Sequence, residues 1–300
     1  IALLNYIKTS FMKKSFYIGI LSLFILLNYS CSSDSDLNVT PTPTNPGTVG
    51  AGILLDVSYG SDTDQTYDLY LPQNRTLATK VIILVHGGGW TSGDKADMSS
   101  FVELIQADLP EYAIVNMNYR LANDITSPFP MQLDDITTLI NQLKARNEEY
   151  IISEDYGFLG TSAGGHLSLL WSYAYDTQAD VNMVTSIVGP TNLADEAYLN
   201  TADPTIQAYI DLLGAEVVVP LLESFSPFHT VTNTAPPTAL FYGGQDPLIP
   251  NSQGMDLSDR LTELGVTHEF TFYPEEGHGW NGQNGIDTWN KFKAFVNEYH

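Results

Sequence analysis

The chain has 300 residues, 43% of them hydrophobic and 16% charged, and a formal net charge of −23 at pH 7. That length holds one α/β domain of ordinary size with ample core, and so acidic a surface repels phosphate backbones, which makes nucleic acid a poor partner. Cys31 is the only cysteine, which excludes an intrachain disulfide and a cysteine metal site.

The first 31 residues read as an N-terminal extension followed by an export signal. Met12-Lys13-Lys14 supplies a short basic start, Ile18 to Leu27 is almost wholly apolar, and Ser30-Cys31 follows. The apolar run is too short for a comfortable membrane span. Residues 1–11 precede Met12, which reads as the true start. The segment resembles a bacterial lipoprotein signal. That resemblance implies export, lipidation of Cys31 and anchoring in a bacterial outer membrane, with the leaflet left open. Asn28 stands where the pattern prefers leucine, so a plain secretory signal with an incidental cysteine is the alternative. Residues 32–50 form a linker. It begins with Ser32-Ser33-Asp34-Ser35-Asp36, which resembles the acidic tether of surface lipoproteins. The proline-rich stretch from Thr40 to Gly47 excludes helix and sheet interior and favours an extended spacer.

Residues 51–300 are expected to form one domain. Ile53 to Tyr59 and Tyr67 to Leu71 suggest an antiparallel strand pair. Val81 to Val85, VIILV, is the continuous apolar run that a strand buried on both faces of a parallel sheet requires. Ala113 to Met117 is a second such run. Leu133, Ile136, Ile140 and Leu143 fall at helical spacing, with Asp134 and Asp135 early, where acids suit the helix dipole. Tyr156 to Thr161 reads as a strand and Leu167 to Trp171 as the body of a helix. Val184 to Val188 and Ala239 to Tyr242 are further buried strands. Leu257, Leu261 and Leu264 mark a helix closed by Gly265. Glu269 to Tyr273 is the last strand, and Trp289, Phe292 and Val296 mark the last helix. Strands alternating with helices predict a mostly parallel, doubly wound sheet with helices on both faces. Residues 190–237 lack clean periodicity and are expected to form a small cap or one wall of the pocket.

Three constellations carry chemistry. Gly160-Thr161-Ser162-Ala163-Gly164 lies between strand and helix and has the G-x-S-x-G spacing of a nucleophile elbow, which lifts Ser162 above the sheet beside a helix N-terminus. His86-Gly87-Gly88-Gly89-Trp90 follows the VIILV strand, and glycines let a backbone turn its amides inward. Gly87 and Gly88 are the candidate oxyanion donors from this loop, with the choice between them open, and Ala163 is the other donor. Asp246 and His278 each fall just past a strand end, where active sites of open α/β sheets gather. The order Ser162, Asp246, His278 gives a nucleophile, an orienting acid and a base. Trp90 and Trp280 flank these residues, either as an aromatic wall for an acyl group or sugar or as core. His86 is expected to brace the glycine loop. His166 is expected to be a helix-surface or packing residue, and His229, His268 and His300 structural ones. Asp94 and Lys95 anchor the glycine loop or form a surface pair. The chemistry needs no cofactor, and no metal-ligand set is visible.

From about residue 66 onward, HGGGW…SGDK, NYRL, FPMQLDD, GTSAGGH, GGQDPLIP and EGHGW resemble, in order, an α/β-hydrolase of the acetyl esterase/lipase kind, in its feruloyl and acetyl-xylan esterase-like branch. The resemblance implies the α/β-hydrolase fold, with Ser162 as nucleophile, Asp246 as acid and His278 as base. It also implies a serine carboxylesterase acting on acetyl or feruloyl esters, with plant polysaccharide such as xylan as the expected partner. Three rivals compete with that reading. HGGGW is also similar to the loop of kynurenine formamidases. The elbow is shared with prolyl-peptidase-like enzymes, which carry a longer appended domain. The third is a catalytically silent glycan-binding lipoprotein on the same scaffold, which the intact Ser162, Asp246 and His278 set opposes.

Overall fold

The computed structural model describes residues 49–212 and 218–300. The export signal, Cys31 and the linker through residue 48 lie outside the described residues. Among the described residues the strands are β1 (Gly52–Ser58), β2 (Thr66–Leu71), β3 (Val81–Val85), β4 (Ala113–Met117), β5 (Tyr156–Thr161), β6 (Val181–Ile187), β7 (Thr238–Gly243) and β8 (His268–Tyr273). They form a single sheet in the order β1-β2-β4-β3-β5-β6-β7-β8. β1 pairs antiparallel with β2, and β2 antiparallel with β4, Leu69 facing Val115. Every other pairing is parallel, with Ile83 of β3 in register with Val115 on one side and Phe158 on the other.

The helices are α1 (Ser99–Asp108), α2 (Met131–Ala145), α3 (Asn147–Tyr150), α4 (Ala163–Ala174), α5 (Glu196–Leu199), α6 (Pro204–Asp211), α7 (Val219–Ser224), α8 (Pro227–Thr230), α9 (Asn251–Leu264) and α10 (Gly282–Tyr299). The two-residue period of the strands sorts them into two layers. Val81, Ile83 and Val85 share a core with Leu133, Ile136 and Ile140 of α2, Leu167 and Leu170 of α4, and Leu257 and Leu261 of α9. Ile82 and Leu84 face the opposite way and pack with Val102 and Ile105 of α1 and with Trp289, Phe292 and Phe295 of α10. The sheet is doubly wound, as the alternation predicts. α9 ends at Gly265, which takes the left-handed conformation (φ 68°).

The chain runs from β3 outward to β4, then returns to place β5 on the other side of β3. Strand order therefore reverses at β3, and the crevice above the C-terminal ends of β3 and β5 is the switch point where such sheets take their ligands. Both glycine motifs lie there. β6 departs from expectation. It ends at Ile187, and Val188 leaves the strand at φ 49°. The described residues of the segment 190–237 include four short helices, α5 to α8.

Two histidines are buried with little polar company. His166 is fully buried on α4, its Nε2 2.8 Å from Phe225 O. Of the two expected roles the structure gives it packing, because Trp90 and Phe129 cover its ring at 5.3 and 5.1 Å. His300 is 5% exposed and contacts Val81 O through Nε2 at 3.1 Å. Burial disfavours the charged imidazolium and lowers each pKa to about 4. Once unfolded, both recover an ordinary value near 6.5 and bind protons that the folded chain refuses. Stability therefore falls as pH drops from about 6.5 toward 4, by on the order of 3 kcal/mol per histidine at the limit. Melting temperature should fall across that window. In His166→Asn the loss between about pH 7 and pH 4.5 should be smaller than in the parent chain; an identical slope would remove His166 from the account.

Candidate active site

Ser162 sits between the end of β5 and the first residue of α4 with φ 51° and ψ −121°. A non-glycine residue there is strained and is held by its surroundings. A Cβ on Gly160 would lie 2.3 Å from Gly164 O, and one on Gly164 would lie 2.1 Å from Val85 O. The turn therefore packs backbone against backbone, and only glycine fits. The Ser162 N–H donates to Ile187 O at 2.8 Å. Ala163 opens α4, so its N–H is among those without an intrahelical acceptor.

The three residues separated in sequence meet at this point. His278 Nε2 is 2.9 Å from Ser162 Oγ, and His278 Nδ1 is 2.7 Å from Asp246 Oδ2. The carboxylate accepts at Nδ1, which fixes the proton there and leaves Nε2 free to accept from the hydroxyl. The Asp246 side chain is 1% exposed, that of His278 25%. Asp246 Oδ1 accepts the N–H groups of Leu248 (2.8 Å) and Ile249 (3.1 Å), which hold its other oxygen toward the histidine.

The glycine loop lies against Ser162. A Cβ on Gly87 would come 3.1 Å from Ser162 Cβ. Gly88 takes φ 113°, and a Cβ there would meet Ser92 O at 2.0 Å. Its carbonyl is turned toward the N–H groups of Thr91 and Ser92, 3.2 and 3.0 Å away. His86 braces the loop. It is fully buried, stacks on Tyr119 at 4.2 Å and donates from Nδ1 to Gly87 O at 2.7 Å; burial pushes its pKa down. Asp94 and Lys95 do not pair with each other. Asp94 caps the single 3₁₀ turn Lys95–Met98, while Lys95 bonds Asp56 at 2.5 Å and also Asp68. Trp90 is 5% exposed and packs edge-on against Phe129, so it serves the core as well as the cavity wall. Trp280 is half-buried on the cavity wall, with Nε1 donating to Thr288 Oγ1 at 2.8 Å.

Two buried polar ties missed at the level of sequence hold the loops. Asp135 reads as a dipole acid, but its side chain is fully buried. It accepts from Arg120 Nη2 (2.5 Å), Arg120 N (2.8 Å) and Gln65 Nε2 (2.8 Å). Gln132, one turn earlier, donates to Trp90 O (2.7 Å) and Arg120 O (2.8 Å), tying α2 to the end of the glycine loop. A signal was present, since Gln132 and Asp135 lie on the apolar stripe of α2 with Ile136 and Leu139. Gln253 of α9 holds the start of the cap: its Oε1 accepts from Thr191 N (2.7 Å) and Asn192 N (2.8 Å), and its Nε2 donates to Asp195 (2.9 Å).

A cavity of about 840 Å³ opens over Ser162 and His278, lined by the glycine loop, by α1 and α10, and by the cap residues Leu193, Tyr198 and Ile206. Asp97 is the lining carboxylate and His278 the lining imidazole; no lysine or arginine lines it. Among the described residues no group of three His, Cys, Asp or Glu side chains is placed to hold a metal ion, and no helix is long and apolar enough to cross a membrane. Replacing Asp135 by alanine would leave the Arg120 guanidinium without its buried partner. Asp135→Ala should cost about 3–5 kcal/mol in denaturant unfolding; a loss below about 1 kcal/mol would show the tie to be dispensable.

The chain has relatives among known proteins. The BD-FAE family matches residues 67–261, more than half of the chain. Esterase LipC of Mycobacterium tuberculosis is 27% identical over 269 residues, a match covering 81% of this chain and 64% of that protein. Carboxylesterase NlhH of the same organism is 26% identical over 244 residues, covering 75% of this chain and 73% of that protein. Other curated relatives are longer still; the chain spans half of Esterase LipQ. Among solved structures, a truncated carbohydrate esterase from gut microbiota superposes with a TM-score of 0.68 at 22% identity, covering 83% of this chain and 98% of that one. Esterase B from Lactobacillus rhamnosis does so with a TM-score of 0.65 at 19% identity, covering 82% and 85%. Those likenesses share the sheet described above, and the family match spans the glycine loop, the elbow and Asp246: this chain belongs to the BD-FAE family and has the α/β-hydrolase fold.

Proposed function

We propose that this chain is a serine carboxylesterase that hydrolyses acetyl or feruloyl esters, with those of plant polysaccharide such as xylan as its substrate class. The observation that carries the reading is the unbroken path Ser162–His278–Asp246, with hydrogen bonds of 2.9 and 2.7 Å, at the floor of a cavity. Ser162 Oγ attacks the acyl carbon as its proton passes to His278 Nε2. The imidazolium is stabilised by the buried Asp246 carboxylate. The carbonyl oxygen becomes an anion and is received by the Ala163 N–H and an N–H of the Gly87–Gly88 loop; one such donor is worth roughly 3 kcal/mol of transition-state stabilisation. The tetrahedral adduct collapses, His278 returns the proton to the departing alcohol, and the acyl group stays on Ser162. Water then repeats the sequence, losing its proton to His278 and releasing the acid.

The polysaccharide half of the reading is supported by the family resemblance and by the room available. About 840 Å³ is far more than an acetyl group fills and lies in the range of sites for drug-sized ligands. The same reading has the chain exported and lipid-anchored through Cys31. Its support is the basic start, apolar run and Ser30-Cys31 order in the sequence.

Ser162→Ala should abolish labelling by a fluorophosphonate and lower kcat by on the order of 10⁶-fold, and Asp246→Asn should lower it about 10⁴-fold with the fold intact. The parent enzyme should release acetate or ferulate from xylan fragments. Turnover confined to unrelated small esters would overturn the polysaccharide assignment while leaving the esterase one. Expressed in a bacterium, the chain should incorporate labelled fatty acid, and Cys31→Ala should not; equal labelling of both would remove the anchor.

A further inference from the structure

The cavity wall beside the nucleophile is built on a strained residue. Val188 follows the end of β6 at φ 49°, and a β-branched side chain in the left-handed region is an outlier that surrounding structure must enforce. Both neighbouring strands enforce it. Ile187 O accepts the Ser162 N–H at 2.8 Å, and the Val188 N–H donates to Phe241 O at 2.9 Å, so the residue is clamped between the tips of β5 and β7. The chain is closely packed just past the bend, where a Cβ on Gly189 would lie 2.4 Å from Ser186 Oγ and 2.8 Å from His166 N, so only glycine fits there. The clamp presents Val188 to the cavity while leaving it 3% exposed.

The cavity has a closed side and an open side. Ile187, Val188, Pro190, Leu193 and Ile249 line the closed side and are buried. On the open side Gly279 and Asn281 are exposed and Ile286 is 55% exposed. The departing alcohol and the incoming water must both reach His278 Nε2 from solvent, whereas the acyl group stays bonded to Ser162 between the two half-reactions. The closed wall therefore faces the acyl group.

We infer that Val188 is the size stop of an apolar acyl pocket and sets the acyl length that the site accepts; the inference rests on the serine esterase reading. No cation lines the closed side, so an acyl group carrying its own carboxylate would bury an unpaired charge. The pocket takes uncharged, apolar acyl groups.

The test uses p-nitrophenyl esters from acetate to octanoate, with the leaving group constant, on the parent and on Val188→Ala, Val188→Gly and Val188→Leu. One methylene in an apolar pocket changes kcat/KM by about 10- to 200-fold. The octanoate-to-acetate ratio of kcat/KM should rise by about tenfold or more in Val188→Gly, rise less in Val188→Ala, and fall in Val188→Leu. Glycine also removes the left-handed strain, so Val188→Gly should melt no lower than Val188→Ala despite its smaller side chain. Variants that stay folded and label at Ser162 yet keep the parent ratio would overturn the inference alone. A parent chain that hydrolyses none of the esters and resists fluorophosphonate would overturn the esterase reading, and the inference with it.

Discussion

The site depends on three backbone segments meeting with no side chain between them. The end of β3, the end of β5 and the first turn of α4 approach so closely that a single methyl at Gly160 or Gly164 would overlap a carbonyl. That contact forces Ser162 into the left-handed region and lifts its hydroxyl off the sheet at the rim where strand order reverses. It also brings the glycine loop against the serine, because β3 and β5 are hydrogen-bonded neighbours. Ser162, the N-terminus of α4 and the glycine loop are thus set by one steric condition rather than by three separate ones.

Loops that close such a rim need to be held without filling it, and here buried polar groups hold them from behind. Asp135 and Gln132 on α2 fasten Arg120 and the carbonyl of Trp90, so the glycine loop is fixed at its far end. Gln253 does the same for the start of the cap through Thr191 and Asn192. Each tie saturates groups that would otherwise be buried unpaired, and that penalty makes the arrangement specific as well as stable.

Charge and polarity divide the labour in the cavity. The hydrogen-bonded carboxylate of Asp246 lies buried behind the partly exposed His278. Ile187, Val188, Pro190, Leu193 and Ile249 give the cavity a buried apolar wall, and no lysine or arginine lines it.

By itself the sequence determined much of the frame and singled out the candidate residues Ser162, Asp246 and His278. VIILV read as a strand buried on both faces, the glycines around Ser162 read as a tight strand-to-helix turn, and the strand-end positions of Asp246 and His278 put them on one rim. These features are local, written in a period of two residues or in the absence of a side chain. The tertiary structure alone decided the rest. His166 became a buried contact between α4 and the chain near Phe225, Lys95 took Asp56 and Asp68 in place of Asp94, and Asp135 turned inward to Arg120. Val188, expected inside a strand, was bent out of it by hydrogen bonds at the tips of β5 and β7. Periodicity reports which face of an element is apolar, but the partner of a polar group and the backbone angle of a clamped residue depend on segments distant in the chain, and those meet only on folding.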